Sequence, residues 1–141
     1  MNEALIRGSF KVVCPLLAIL SLLFLLRGHD LSGGGFIGGL VLSLAMILHF
    51  ISQPDSKLKK WIYLNYTSMI AISILALIFI LTIPMLLGKA GLSSMWTSIP
   101  FPIAGKISSV LVFDSIVFII VSSSTTMAYV KFISFSKENG S

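Results

Sequence analysis

Charged residues are scarce in this chain of 141 amino acids, of which only 11% are Asp, Glu, Lys or Arg while 56% are hydrophobic. Soluble domains carry roughly 25% charged residues. The chain therefore has too little polar surface for an ordinary soluble enzyme, a disordered tail or a nucleic-acid-binding module. The mean hydropathy of +1.02 predicts an integral membrane protein whose mass lies almost wholly in the lipid bilayer.

Residues that commonly carry chemistry are also few. The chain has a single cysteine, Cys14, and two histidines, His29 and His49. One cysteine excludes an intrachain disulfide, and the sequence contains no metal-ligand spacing, Ser/His/Asp set or phosphate-binding loop. We therefore expect no enzyme, no metal site, no cofactor and no nucleic-acid partner.

Predominantly apolar segments occur four times along the chain. A transmembrane helix needs about 20 such residues, and the four segments cover about residues 10–27, 33–52, 62–87 and 107–130. The sequence therefore predicts an all-α integral membrane protein with four transmembrane helices, forming a single membrane domain over residues 1–141.

Basic residues are distributed unevenly between the two ends of these spans. Four spans place both termini and the 53–60 loop on one side, which carries seven of the ten basic residues: Arg7, Lys11, Lys57, Lys59, Lys60, Lys131 and Lys137. The other side carries Arg27, Lys89 and Lys106. Because cytoplasmic loops carry an excess of Lys and Arg, both termini are predicted to be cytoplasmic.

A glycine cluster precedes and opens the second span. It formally contains G-x-G-x-x-G at Gly33, Gly35 and Gly38. That pattern indicates dinucleotide binding only after a strand in a βαβ unit, and here it joins two membrane spans. A nucleotide site is therefore rejected.

The same glycines also form two overlapping G-x-x-x-G pairs, Gly34 with Gly38 and Gly35 with Gly39. Such pairs allow a neighbouring helix to approach closely, because no side chain separates the two backbones. The alternative is that the glycines only form a turn. We favour helix packing and assembly, since the cluster holds more glycines than a turn needs.

Asp114 is the one charged residue that falls well inside a span. An intramembrane carboxylate usually faces a polar cavity or a partner, and Thr125 is expected on nearly the same helix face. Asp114 is therefore a candidate for binding a cation or proton, or for pairing with a basic residue of a neighbour. The alternative is a position near the interface that water satisfies. His29, at the outer rim, is either a proton-handling candidate or a solvated residue.

The residues from Gly28 to Leu40 read G-H-D-L-S-G-G-G-F-I-G-G-L. This segment resembles the G-H-x-x-P-G-G-G-F-x-G-G-L signature of the MnhB component of Mrp-type multisubunit Na⁺/H⁺ antiporters, with Ser32 where the family usually has Pro. Residues 83–89 and 112–114 are similar to two further family segments. The matching residues are Gly28, His29, Gly33, Gly34, Gly35, Phe36, Gly38, Gly39 and Asp114.

The resemblance implies a subunit of a bacterial plasma-membrane complex that exchanges cytoplasmic Na⁺ for external H⁺. Its implied partners are the other Mrp antiporter subunits (A, C, D, E, F and G), besides the lipid bilayer. Two alternatives stay open: a purely structural scaffold subunit, and the equivalent subunit of a redox-driven ion pump such as a membrane-bound hydrogenase.

Overall fold

The computed structural model describes residues 3–27, 33–53, 57–86, 88, 96–101 and 105–138. In these ranges it contains helices α1 (Glu3–Arg27), α2 (Gly35–Ser52), α3 (Lys57–Leu86) and α4 (Ser109–Glu138), and strands β1 (Trp96–Phe101) and β2 (Gly105–Ser108). All four helices are long and apolar enough to cross a membrane. The prediction of four such helices is confirmed.

The helices extend beyond the predicted spans at their charged ends. Helix α1 begins at Glu3 rather than near residue 10, α3 begins at Lys57 rather than near residue 62, and α4 continues past residue 130 to Glu138. Hydropathy marks only the part of a helix that suits lipid. Turns that carry Lys, Arg or Glu continue the same hydrogen-bonded helix into the interface.

A short hairpin between α3 and α4 adds two strands that the all-α prediction omits. Strands β1 and β2 are antiparallel, with Pro100 opposite Lys106 and Phe101 opposite Gly105, and an irregularity in β1 between Trp96 and Pro100. Proline is tolerated here because each strand of a two-stranded sheet is an edge strand. The hairpin lies at the end of the bundle where α4 begins, since β2 leads directly into α4.

The helices pack in the spatial order α1, α2, α4, α3. Helix α2 contacts both α1 and α4, and α3 contacts α4. The backbone N–H of Gly34, just before α2, donates to the carbonyl of Phe24 in the last turns of α1, so α1 and α2 are antiparallel. Lys131, near the end of α4, lies over the ring of Tyr66, near the start of α3, so these helices are antiparallel too.

Helices α2 and α4 run parallel to each other in the centre of this row. Gly35 at the start of α2 meets Asp114 near the start of α4, and Phe50 near the end of α2 packs with Val130. The start of α1 and the end of α4 therefore lie at the same end of the bundle. The compartment at that end stays a prediction.

The core lies between α2 and α4. In the described part of the chain, the buried apolar side chains all come from these two helices: Ala45, Phe50, Ile116, Phe118, Met127 and Val130. Helices α1 and α3 expose most of their large apolar side chains. The outer helices thus present extensive apolar surface to lipid or to other proteins.

Candidate functional site

Gly35 and Gly39 bring the backbones of α2 and α4 into direct contact. A Cβ atom on Gly35 would lie 2.7 Å from the carbonyl carbon of Asp114, and one on Gly39 would lie 2.9 Å from the carbonyl oxygen of Phe118. No side chain fits at such distances, so the contact requires glycine. The glycine row therefore packs against a helix of its own chain.

Gly38 occupies the third side of the same row and faces α1 as well as α4. A Cβ atom there would lie 2.8 Å from the carbonyl oxygen of Ser21 and 3.1 Å from the ring of Phe118. Helix α2 is consequently held between its two neighbours at a separation that larger residues do not permit. This arrangement explains why the cluster has glycines on more than one face.

Gly34 sets the direction in which the chain enters α2. Its φ of 100° and ψ of −178° belong to a backbone region that is essentially restricted to glycine. Its N–H donates to the Phe24 carbonyl at 3.0 Å, and its own carbonyl accepts from the N–H of Gly38. The conformation thus joins the end of α1 to the start of α2.

Asp114 lies where α1, α2 and α4 converge. Its side chain is half-buried, and its Oδ2 atom lies 3.3 Å from the position that a Cβ of Gly34 would take. The carboxylate is therefore beside the N-terminus of α2. That end of a helix carries partial positive charge and stabilises a nearby anion.

This geometry suits a carboxylate that binds a monovalent cation or a proton together with other groups. Among the residues with described placement, no set of three or more His, Cys, Asp or Glu side chains converges in a way that could hold a metal ion. Asp114 therefore does not belong to a closed, protein-only cage of charged ligands within that part of the chain. Water or a neighbouring subunit has to supply further contacts.

Thr125 does not join Asp114 in one site. The two residues are separated by about 16 Å along α4, at roughly 1.5 Å per residue. Thr125 is half-buried, whereas the next residue, Thr126, is fully buried and donates its hydroxyl to the Met46 sulfur at 3.7 Å. The four-residue spacing from Phe118 through Ser122 to Thr126 is the sequence signal that identifies this buried residue.

The hydroxyl run of residues 122–126 is largely satisfied by its own helix. Ser122 donates to the carbonyl of Ile119 at 3.2 Å, and Ser124 donates to the carbonyl of Ile120 at 2.6 Å. Such back-bonding supplies a buried hydroxyl with a partner inside the helix. These serines therefore serve packing, in agreement with the structural alternative for this run.

The remaining predicted residues stand apart from this contact. Gly28 and His29 lie outside the described residues, so their part in the site stays a prediction. Gly33 is half-buried just before Gly34. Phe36 is 59% exposed and points away from the glycine contact, and a role in assembly with other subunits stays a prediction for it.

Known proteins similar to the chain share this region. Residues 5–127 match the family described as "Domain related to MnhB subunit of Na+/H+ antiporter". A Na⁺/H⁺ antiporter protein of Alkalihalophilus pseudofirmus, named as the B-type component of that antiporter, is 30% identical over 122 residues, 85% of each chain. A Staphylococcus aureus protein that carries the name antiporter subunit mnhB2 is 31% identical over 115 residues, 80% of this chain and 82% of its own.

A Staphylococcus epidermidis protein with the same name is 28% identical over 106 residues, 75% of each chain. The family match includes the glycine cluster, Asp114 and the greater part of all four helices. The chain belongs to the MnhB family.

Proposed function

We propose that the chain is one subunit of a multisubunit Na⁺/H⁺ antiporter in the bacterial plasma membrane, and that Asp114 takes part in moving the ions. Relatives from two bacterial genera carry the names of antiporter subunits, and four membrane-spanning helices fit a multi-pass protein. The complex exchanges cytoplasmic Na⁺ for external H⁺. Both termini of the chain lie in the cytoplasm, and its partners are the other Mrp antiporter subunits (A, C, D, E, F and G).

The observation that carries this proposal is the half-buried Asp114 carboxylate inside the apolar stretch Val110–Ser136. A carboxylate in a membrane span is costly and is normally kept where it faces water or a partner. Gly34 and Gly35 provide space for it beside the N-terminus of α2. A charge supported by this close backbone contact fits an ion-handling group better than an incidental surface residue.

The direct test is Asp114→Asn in everted membrane vesicles that contain the whole antiporter. Asparagine has nearly the same shape, so α2 and α4 keep their contact and the complex assembles. It holds no negative charge and does not release a proton near neutral pH, so Na⁺-dependent proton flux should fall to a small fraction of the wild-type value. Full flux in this variant would refute a role in ion movement.

Ser115→Ala is the matched control for this experiment. Ser115 is the next residue in α4, is half-buried, and donates its hydroxyl to the Leu111 carbonyl at 2.8 Å within the same helix. Its substitution changes neither a charge nor the glycine contact. The control should retain wild-type flux, whereas equal losses in both variants would indicate a general disturbance of α4.

A purely scaffolding role is the second candidate, and the exposed side of α2 favours it. Phe36, Leu40 and Leu44 are exposed at intervals of four residues, which places them on one face. Phe36→Ala removes a large side chain there without touching the glycine contact. If this face holds a neighbouring subunit, the variant should release the chain from the complex on a native gel. An intact complex would count against this face as the point of attachment.

A further inference from the structure

We infer that Asp114 opens only toward the end of the bundle opposite the chain termini, and that the seam between α2 and α4 beyond it is closed to ions. This inference rests on the proposed function for its physiological meaning, because that function assigns ion movement to Asp114. It adds the direction from which ions reach the carboxylate. It also assigns the rest of the ion route to other subunits.

The depth of Asp114 follows from its contacts with the ends of two helices. It lies beside Gly34, whose N–H donates to the carbonyl of Phe24, and α1 ends at Arg27. Asp114 is thus about one helical turn, roughly 5 Å, inside the end of α1. The carboxylate is near this end of the bundle and far from the end where α1 begins.

The first barrier beyond Asp114 is the ring of Phe118. This side chain is only 8% exposed and lies over Gly38, at 3.1 Å from where a Cβ of that glycine would be. The α4 backbone at Phe118 is also in direct contact with Gly39. Two backbones and a buried ring leave no polar passage at this level of the seam.

Farther along the seam, the buried hydroxyls do not form a relay. Ser43 donates to the Leu40 carbonyl of its own helix at 2.8 Å, and Thr126 donates to the Met46 sulfur. A proton relay needs successive polar groups that bond to one another, but a thioether is only a weak acceptor and passes no proton on. Phe50 and its neighbours then fill the far end of the seam with apolar groups.

The predicted orientation assigns this one-sided opening to the external solution. The side with the termini carries the excess of basic residues and is predicted to be cytoplasmic, so the opposite end faces outward. Asp114 therefore receives H⁺ from outside, or releases Na⁺ to the outside, during exchange. A neighbouring subunit must supply the path from the cytoplasm to this point.

The test is the accessibility of Asp114→Cys to a membrane-impermeant, negatively charged methanethiosulfonate. The variant is made in a Cys14→Ser background, which removes the native thiol, and is expressed with the complete antiporter. Intact cells expose the external side and everted vesicles expose the cytoplasmic side. Ser134→Cys, on an exposed residue of the last turns of α4, serves as the cytoplasmic control, and Thr126→Cys serves as the buried control.

We expect reagent added to intact cells to label Asp114→Cys and not Ser134→Cys, with the reverse pattern in everted vesicles. Thr126→Cys should stay unlabelled from either side. Labelling of Asp114→Cys only from the cytoplasmic side, or from neither side, would overturn the inference. If this variant fails to accumulate, Val112→Cys on the same exposed end of α4 replaces it, with the same expected and refuting patterns.

The two proposals can fail separately. External labelling of Asp114→Cys combined with full flux in Asp114→Asn supports the outward opening and refutes ion handling. Cytoplasmic labelling combined with lost flux refutes the outward opening and supports ion handling.

Discussion

The contact between Gly35 and the α4 backbone predicts a large cost for the smallest possible substitution, Gly35→Ala. The added Cβ would lie 2.7 Å from the carbonyl carbon and 3.0 Å from the Cα of Asp114. These are backbone atoms, so no side-chain rotation relieves the overlap. Helices α2 and α4 have to move apart along the seam.

The magnitude follows from the kind of atom that is struck. Overpacking a tight interior costs roughly 1–3 kcal/mol, and a collision with rigid backbone belongs at the upper end. A loss of about 3 kcal/mol lowers the unfolding midpoint by roughly 6–12 °C, at about 2–4 °C per kcal/mol for chains of this size. Gly8→Ala is the matched control, because a Cβ on Gly8 meets no atom within 4 Å.

The assay compares the two variants with wild type in mild detergent. Samples are heated in steps, and the fraction that still elutes as a single species in size-exclusion chromatography gives the midpoint. Gly8→Ala should match or slightly exceed wild type, since alanine favours an exposed helix by roughly 0.5–1 kcal/mol. Equal midpoints for Gly35→Ala and Gly8→Ala would refute the close contact between α2 and α4.

Three further substitutions test other contacts by the same thermal assay. Gly34→Ala should cost roughly 1–3 kcal/mol because its backbone conformation is strained for any other residue; no loss would exclude that conformation. Thr126→Val should cost less than about 1 kcal/mol, since it keeps the volume and removes one weak bond to the Met46 sulfur; a larger loss would contradict this. Tyr66→Leu, but not Tyr66→Phe, should lose roughly 0.5–1 kcal/mol of interaction with Lys131; equal effects would exclude the ring contact.

The number of helices is predictable because bilayer thickness fixes the length of an apolar span. The spatial order α1, α2, α4, α3 is not. Helices that are apolar around their whole circumference carry no stripe that indicates which face is buried. The strands β1 and β2 escape prediction for a related reason, since an uncharged loop with prolines has no strand-like alternation of polar and apolar residues.

The site is predictable in its parts but not in their union. The sequence identifies the glycine row by its four-residue spacing and Asp114 as a charge inside a span. Their contact joins Gly34 and Gly35 to a residue in the last helix, and no local pattern encodes a contact so distant in sequence. The sequence favours Thr125 over Thr126 because an ideal helical period does not specify which side of α4 meets α2.

The spatial order of the helices also constrains how the chain is made. Helix α2 packs on α1 as soon as both are in the membrane, whereas α3 packs on α4 and has no comparable contact with α1 or α2 in the ranges described. During synthesis, α3 is therefore complete before its neighbour exists. A chain interrupted before Ser109 leaves α3 as a solitary helix beside a finished hairpin, and the insertion machinery must retain it until α4 enters between α2 and α3.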